Sequence, residues 1–127
     1  MLVGGIDIGT SGCKVVLYNE NGEFVDSVYK EYNVKRDNGL HEVDASEIFS
    51  SVLCILDGIK DKRVASIAVT SFGETFAMLD EEDNILAPSM LYTDPRGSEE
   101  CEYLCENLGE DNLTLLTGVK PHPMYSI

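Results

Sequence analysis

The sequence is poor in positive charge. Its 127 residues include only 9 lysines and arginines against 23 aspartates and glutamates, which gives a formal net charge of −14 at pH 7. Binding to a nucleic-acid backbone or to an anionic membrane surface needs a basic face, so this balance argues against both kinds of partner. The sequence also lacks an apolar run of membrane-spanning length and an amino-terminal secretion signal. We therefore expect a soluble, cytoplasmic protein that binds neither nucleic acid nor membrane.

Paired cysteine motifs are missing as well. None of the four cysteines has CxxC spacing to another: Cys13, Cys54, Cys101 and Cys105. The two histidines, His41 and His122, are isolated from them in the sequence. This arrangement predicts reduced thiols, and it argues against a disulfide framework or a zinc site. With 127 residues the chain is long enough for one domain with a core and too short for two substantial ones.

What the sequence does contain is an unusual opening. Residues 5–18 read as an apolar strand with one carboxylate, Asp7, then a turn of small residues at 9–12, then a second strand. A carboxylate among apolar neighbours is costly to bury unless a cation or hydrogen-bond donors satisfy it. We therefore expect Asp7 to lie where its strand emerges into a cleft, in a position to hold a metal ion.

The turn itself predicts a phosphate-binding loop. Gly9 and Gly12 allow the backbone to come close to a ligand, and successive N–H groups form a concavity for phosphate oxygens. Thr10 and Ser11 add hydroxyl donors, and Lys14 adds a positive charge. The alternative is a simple β-hairpin with a polar turn, in which Asp7 is only a hydrated strand residue. A Walker-type or Rossmann loop fits poorly, because β-branched apolar residues, and not a helix, follow the turn.

The rest of the chain predicts a mixed α/β unit. Three antiparallel strands come first, the third at residues 23–32, followed by a loop at 35–39. Asp44 caps a helix that runs to about Lys60, with Glu47 placed for a capping box. The apolar run Val64–Thr70 predicts a strand buried on both faces and parallel to the first strand.

The last third of the chain is less regular. Residues 75–79 and 85–92 predict a hairpin-like pair, and Pro88 restricts the second member to a sheet edge. A mostly solvent-facing helix is expected to start at Pro95 and to run to Leu108, with one more turn at 113–116. The order of three strands, a helix and a strand is typical of the first half of a ribonuclease-H-like unit, and such units bind nucleotide between two copies.

Three patches together carry a family resemblance. They are the opening Gly5-Ile6-Asp7-Ile8-Gly9-Thr10-Ser11, the segment 67–75 (IAVTSFGET) and the segment 91–96 (LYTDPR). In their order and spacing the chain resembles the amino-terminal part of the FGGY carbohydrate kinases, relatives of actin and Hsp70. The resemblance covers nearly the whole chain. It implies an α/β, ribonuclease-H-like (actin/Hsp70-like ATPase) unit with a mixed sheet, antiparallel first strands and crossover helices.

The resemblance implies ATP and Mg²⁺ as cofactors and a small sugar or polyol as substrate. Asp7 would help to hold magnesium through water, while Thr10, Ser11 and Lys14, with Gly9 and Gly12 in the same loop, would face the transferred phosphoryl group. Phosphoryl transfer depends on positioning of the reactants and neutralisation of negative charge more than on covalent catalysis. A carboxylate-held cation with hydroxyl and amine donors meets this need. A second possible function is an actin- or Hsp70-like ATPase module without a small acceptor.

The implied acceptor site uses residues from the second and third patches: Gly73, Glu74, Asp94, Arg96 and, near the end of the chain, Tyr125. Glu74 would accept hydrogen bonds from substrate hydroxyls, and Gly73 would leave space. Asp94 and Arg96 would either brace the cleft or contact the substrate, and purely structural alternatives stay open for most of the five residues. The pair 73–74 also fits a strand-end turn, Asp94 fits a helix cap before Pro95, and Tyr125, with Met124, fits core packing.

The family's catalytic base and adenosine pocket lie beyond residue 127, in proteins roughly four times longer. We therefore expect residues 1–127 to be a truncated part of the first kinase domain, with the second domain absent. This part alone is expected to be inactive. A stand-alone binding module is a third possibility, but the unfinished carboxyl end argues against it. Which acceptor is used stays open, as does homodimerisation of the parent.

Overall fold

A four-stranded mixed sheet forms the centre of the protein, whose computed structural model describes residues 1–125. The strand order is β3-β2-β1-β6, and a second, three-stranded sheet has the order β4-β5-β7. In chain order the elements are β1 (Leu2–Ile8), β2 (Gly12–Asn19), β3 (Phe24–Glu31), β4 (Val34–Asp37), β5 (Leu40–Val43), α1 (Ala45–Asp57), β6 (Val64–Ser71), β7 (Ser89–Met90), α2 (Ser98–Leu108) and α3 (Glu110–Thr117).

The topology of the main sheet confirms the prediction. Strands β1, β2 and β3 pair antiparallel, and β6 returns after α1 to pair parallel with β1. The register places Asp7 of β1 opposite Lys14 of β2 on one side and opposite Thr70 of β6 on the other. Because side chains alternate between the two faces of a sheet, these three residues share the face opposite the core.

The core lies between the inner face of this sheet and α1. Its buried residues come from alternate positions on the strands and from one side of the helix, with contributions from later segments: Ile6, Cys13, Val15, Leu17, Tyr32, Val43, Ile55, Ile59 and Leu91. Burial also raises the pKa of the Cys13 thiol, which keeps that group protonated and apolar in character.

Helix α1 begins as predicted, at the cap residue Asp44. The backbone N–H of Ser46 donates to the Asp44 carboxylate over 2.8 Å. The capping box is not closed in the predicted way, because Glu47 instead accepts a hydrogen bond from the backbone N–H of Asn33, 2.9 Å away. The helix ends at Asp57, three residues before the predicted Lys60.

The segment predicted as a loop at 35–39 is part of a hairpin formed by β4 and β5. Its turn residues Asn38 and Gly39 have φ values of 53° and 80°. Positive φ at both central residues is what a two-residue hairpin turn requires, and Asn-Gly is the pair that adopts it most readily. The predicted hairpin-like pair of 75–79 and 85–92 is confirmed only beside its turn, where Leu79 and Ile85 form an antiparallel bridge. The later part of the second segment, β7, pairs with β5 instead.

Two further predictions need correction. Strand β6 is not buried on both faces: it lies at the edge of the sheet, α1 packs on β2 and β3, and Val69 is 64% exposed. Helix α2 begins at Ser98 and not at Pro95, after Gly97 with a φ of 95°. In agreement with the prediction, α2 is mostly solvent-facing, with no buried residue along its length. No helix in residues 1–125 combines the length and apolarity needed to cross a bilayer.

The packing around residue 12 leaves no room for a side chain, so we expect substitution of Gly12 to destabilise the protein. A Cβ built on Gly12 would lie 2.8 Å from the backbone carbonyl oxygen of Lys30 and would also contact the Tyr29 ring, whereas a Cβ on Gly5 meets nothing within 4 Å. We expect Gly12→Ala to lower the free energy of unfolding by about 1–3 kcal/mol through overpacking. Gly5→Ala, the matched control, should change it by less than about 1 kcal/mol. Urea unfolding of both variants measures this, and equal effects would contradict it.

Candidate functional site

The turn predicted to bind phosphate and residues 73–74, the first part of the predicted acceptor site, lie at one edge of the main sheet. Because β1 and β6 run parallel, their carboxyl ends lie side by side, and the backbone N–H of Phe72 donates to the carbonyl oxygen of Ile8 over 3.0 Å. Strand β1 leads directly into the turn 9–12, and β6 leads into Gly73 and Glu74. Ligand sites in α/β sheets form at this carboxyl edge.

The turn 9–12 is tight. The N–H of Gly9 donates to the carbonyl oxygen of Gly12 over 2.9 Å, so Thr10 and Ser11 form the tip of the turn. Ser11 is exposed and Thr10 is half-buried. Gly12 is buried against β3, where Tyr29 and Lys30 leave no room for a Cβ atom. Packing alone therefore explains glycine at this position, and no ligand is needed to explain it.

Tyr32 fixes this turn through two hydrogen bonds. Its hydroxyl donates to the carbonyl oxygen of Gly9, and its backbone N–H donates to the carbonyl oxygen of Ser11 over 3.3 Å. The side chain is buried in the core, and burial raises the pKa of Tyr32 to about 12, so the hydroxyl stays a donor at neutral pH. Sequence reasoning treated Tyr32 only as an apolar strand residue, since nothing in the sequence links it to a turn more than twenty residues earlier.

Asp7 and Lys14 lie beside this turn on the exposed face of the sheet. Because the Asp7 carboxylate is exposed, water can solvate it, and burial does not force a cation onto it. Its chemistry nevertheless fits Mg²⁺, which binds through one or two carboxylates together with waters and substrate phosphates. Among residues 1–125 no group of three or more His, Cys, Asp or Glu side chains is placed to hold a metal ion by itself.

A cavity of about 580 Å³ brings together four of the five residues predicted for the acceptor site: Glu74, Asp94, Arg96 and Tyr125. Gly73, the fifth, is not among its lining residues, and a Cβ there would meet nothing within 4 Å. Glu74 has a φ of 59°, in the left-handed region that costs a non-glycine residue about 1–2 kcal/mol. Such strain is found at functional sites and also in turns, so the alternative of a strand-end turn at 73–74 stays open.

The wall of the cavity contains a buried ion-pair network. The Asp94 carboxylate accepts hydrogen bonds from Nε and Nη2 of Arg96, over 2.8 and 2.7 Å, and from the backbone N–H of His41 over 2.8 Å. Nη2 of Arg96 also donates to Oε1 of Glu42, over 2.8 Å. The Asp94 side chain is only 2% exposed, and the Arg96 guanidinium holds the pKa of its carboxyl well below its usual range. Asp94 is therefore not a helix cap, because α2 starts four residues later.

Glu42 and His41 belong to this wall, and sequence reasoning missed both. They lie on β5, whose pairing with β7 brings them to the segment that contains Asp94. The His41 ring is also in contact with Thr93, with 2.9 Å between Nδ1 and Oγ1. The Asn-Gly pair at 38–39 was the available signal, since a hairpin there would have placed β5 in a sheet. Tyr125, besides lining the cavity, makes an edge-to-face ring contact with His122.

Comparison with known proteins is consistent with this geometry. Residues 2–127 match the profile of the FGGY family of carbohydrate kinases, N-terminal domain. The chain is 31% identical over 118 residues to a xylulose kinase of Staphylococcus xylosus, which covers 89% of the chain and 24% of that protein. It is 31% identical over 125 residues to a gluconokinase of Bacillus subtilis (strain 168), covering 94% of the chain and 24% of that protein.

A solved structure gives the same result for the fold. The crystal structure of gluconate kinase from Lactobacillus acidophilus superimposes with a TM-score of 0.88 at 28% identity, over 97% of this chain and 26% of that one. The chain therefore shares the ribonuclease-H-like fold of these kinases, as predicted. It spans about a quarter of the length of the curated relatives that it matches.

The contact between Tyr32 and the turn can be tested by removing one oxygen atom. Tyr32→Phe leaves the Gly9 carbonyl without its side-chain donor, so we expect a loss of about 0.5–1.5 kcal/mol of stability. Amide hydrogen exchange of residues 9–12 should become faster, because the turn opens locally. Tyr18→Phe is the matched control, since Tyr18 lies at the other end of β2 and is 42% exposed. Unchanged exchange at 9–12 in Tyr32→Phe would refute the proposed contact.

The ion-pair network predicts a pH dependence. The folded-state pKa of Asp94 is lowered, so its contribution is complete above the unfolded pKa of about 3.9 and is lost as pH falls further through the folded value. At pH 7 we expect Asp94→Asn to cost about 1.5–3 kcal/mol, and this difference from the wild type should shrink below about pH 4. Asp57→Asn, which removes an exposed pair with Lys60, should cost less than about 1 kcal/mol. Denaturant unfolding from pH 7 to pH 3 measures both, and a pH-independent difference for Asp94→Asn would be inconsistent with the network.

Proposed function

The chain belongs to the FGGY family of carbohydrate kinases, and on that basis we propose that the whole protein transfers a phosphoryl group from ATP to a hydroxyl of a small sugar, ketose, polyol or sugar acid. The observation that carries the proposal is the shared sheet edge: the turn 9–12 after β1 and the cavity next to Glu74 after β6 lie at the ends of two paired strands. This is the arrangement that a reaction between a nucleotide phosphate and a small acceptor needs.

On the nucleotide side, the proposed elements are the turn and the exposed face beside it. Backbone N–H groups and the hydroxyls of Thr10 and Ser11 would bind phosphate oxygens, and Lys14 would add positive charge. Asp7 would hold Mg²⁺ through water, and the ion would neutralise charge on the phosphates when bound. The contacts of Tyr32 support this role, because a turn that is fixed before the ligand arrives loses less entropy on binding.

On the acceptor side, the cavity provides two kinds of group. Glu74 would accept hydrogen bonds from substrate hydroxyls, while Tyr125 would pack on the carbon skeleton. Asp94 and Arg96 are already bonded to each other and to Glu42 and His41, which favours a bracing role for this pair. Gly73, which does not line the cavity, would leave the approach to it open.

We place the remaining parts of the reaction outside this chain. Residues 1–127 would be the first part of the N-terminal kinase domain, and the general base for the acceptor hydroxyl and the adenosine pocket would lie in the other three quarters of the protein. Closure of two lobes over ATP is what excludes water from a phosphoryl transfer. The 127-residue part by itself is accordingly expected to lack kinase activity.

The decisive experiment measures ADP release by the full-length protein with Mg²⁺-ATP and a panel of ketoses, polyols and sugar acids. We expect one class of acceptor to stimulate release strongly. Glu74→Ala should lower kcat/KM for that acceptor about 10–100-fold, because a charged hydrogen bond to substrate is lost. Glu81→Ala, in the exposed 80–84 turn, is the control and should have no effect.

Two results would count against the proposal. ATP hydrolysis at the same rate with and without every acceptor would favour an ATPase module of the actin or Hsp70 kind. An unaltered kcat/KM in Glu74→Ala would leave phosphorylation in place but would remove Glu74 from the acceptor site.

A further inference from the structure

The side chains that line the cavity carry more negative than positive charge. Among residues 1–125 the lining includes three carboxylates, on Glu74, Asp94 and Glu100, and one cation, on Arg96. A fourth carboxylate, on Glu42, lies behind Arg96 and accepts a hydrogen bond from it over 2.8 Å. The part of the site that this chain supplies is therefore strongly negative, apart from any contribution by the rest of the protein.

Arg96 has no parallel pair of N–H groups left for bidentate recognition of a substrate carboxylate. Strong recognition of a carboxylate by arginine uses two parallel N–H groups of the guanidinium. In this protein Nε donates to Asp94 over 2.8 Å, and Nη2 donates to Asp94 over 2.7 Å and to Glu42 over 2.8 Å. Turning the guanidinium towards a ligand would leave the Asp94 carboxylate, 2% exposed, as an uncompensated buried charge, which is strongly unfavourable.

The remaining lining suits an uncharged molecule with carbon-bound hydrogens and hydroxyls. Apolar and aromatic side chains form much of the cavity wall: Phe76, Met78, Met90, Tyr92, Met124 and Tyr125. Such surfaces pack against C–H groups, while carboxylates accept hydrogen bonds from O–H groups and repel other carboxylates. A negative wall whose one cation is already paired with two carboxylates therefore discriminates by repulsion, which is a common route to specificity.

We infer that the acceptor is a neutral polyhydroxy compound, a ketose or polyol, and not a sugar acid. The inference rests on the proposed phosphorylation of a small acceptor in this cavity and narrows its substrate class. The names of the relatives do not make this choice, because a gluconokinase and a xylulose kinase are both 31% identical to this chain. Overall identity does not distinguish the two classes, so the inference rests on the charge of the wall in this chain.

The test compares acceptors in the full-length protein. The value of kcat/KM is measured with Mg²⁺-ATP for xylulose, glycerol and gluconate, at low and high salt. We expect kcat/KM for the better neutral acceptor to be at least about 100-fold higher than kcat/KM for gluconate. The ratio of these two values should decrease at high salt, because salt screens the repulsion of the gluconate anion. Glu100→Gln, which removes one carboxylate from the cavity rim, should narrow the ratio about 3–10-fold. Glu102→Gln, on the same helix but outside the cavity lining, should leave the ratio unchanged.

The outcomes separate this inference from the function on which it rests. A kcat/KM for gluconate equal to or above that of the neutral acceptors would overturn the neutral-acceptor assignment and leave the phosphorylation itself standing. Equal effects of Glu100→Gln and Glu102→Gln would also overturn it, because the wall charge would then not control selection. ADP release that no acceptor stimulates would overturn the proposed function, and the inference with it.

Discussion

The parallel pairing of β1 with β6 is the constraint on which the candidate site depends. Parallel neighbours need a crossover connection, and α1 provides it while covering the inner face of β2 and β3. The pairing brings the residue after β1 and the residue after β6 to one edge. Two segments about 60 residues apart in sequence, the turn 9–12 and Gly73-Glu74, thereby become neighbours in space. The proposed two-substrate site depends on this pairing, because each segment supplies only one side of it.

Two buried polar contacts then fix the loops at that edge. The Tyr32 hydroxyl donates to the Gly9 carbonyl beside the turn 9–12, and the Asp94 carboxylate accepts hydrogen bonds from Arg96 and the His41 backbone in the cavity wall. Buried polar groups are costly unless all of their partners are present, so each contact strongly favours a single loop geometry. In both cases the anchoring residue is far in sequence from the loop that it holds.

Charge has different consequences at different positions in this protein. Most of its 23 acidic residues lie on the solvated surface, where they contribute to solubility. The same sign of charge around a cavity acts on any ligand that enters, because the low-dielectric walls screen it less than bulk water does. Arg96 offsets only part of this charge, because it is one cation paired with two carboxylates, Asp94 and Glu42. The composition alone would not distinguish these two roles.

The sequence by itself determined the elements that depend on local patterns. Alternation of apolar residues predicted β1 to β3, and helical spacing with an Asp44 cap predicted α1. The phosphate site at the small-residue turn beside Asp7 stays a prediction. Tertiary structure alone decided the pairing of β5 with β7, the exposure of β6 and the network of Glu42, Asp94 and Arg96. These features depend on which distant segments meet. Local propensity and periodicity report the conformation and the buried face of one segment, and they contain no information on its partner.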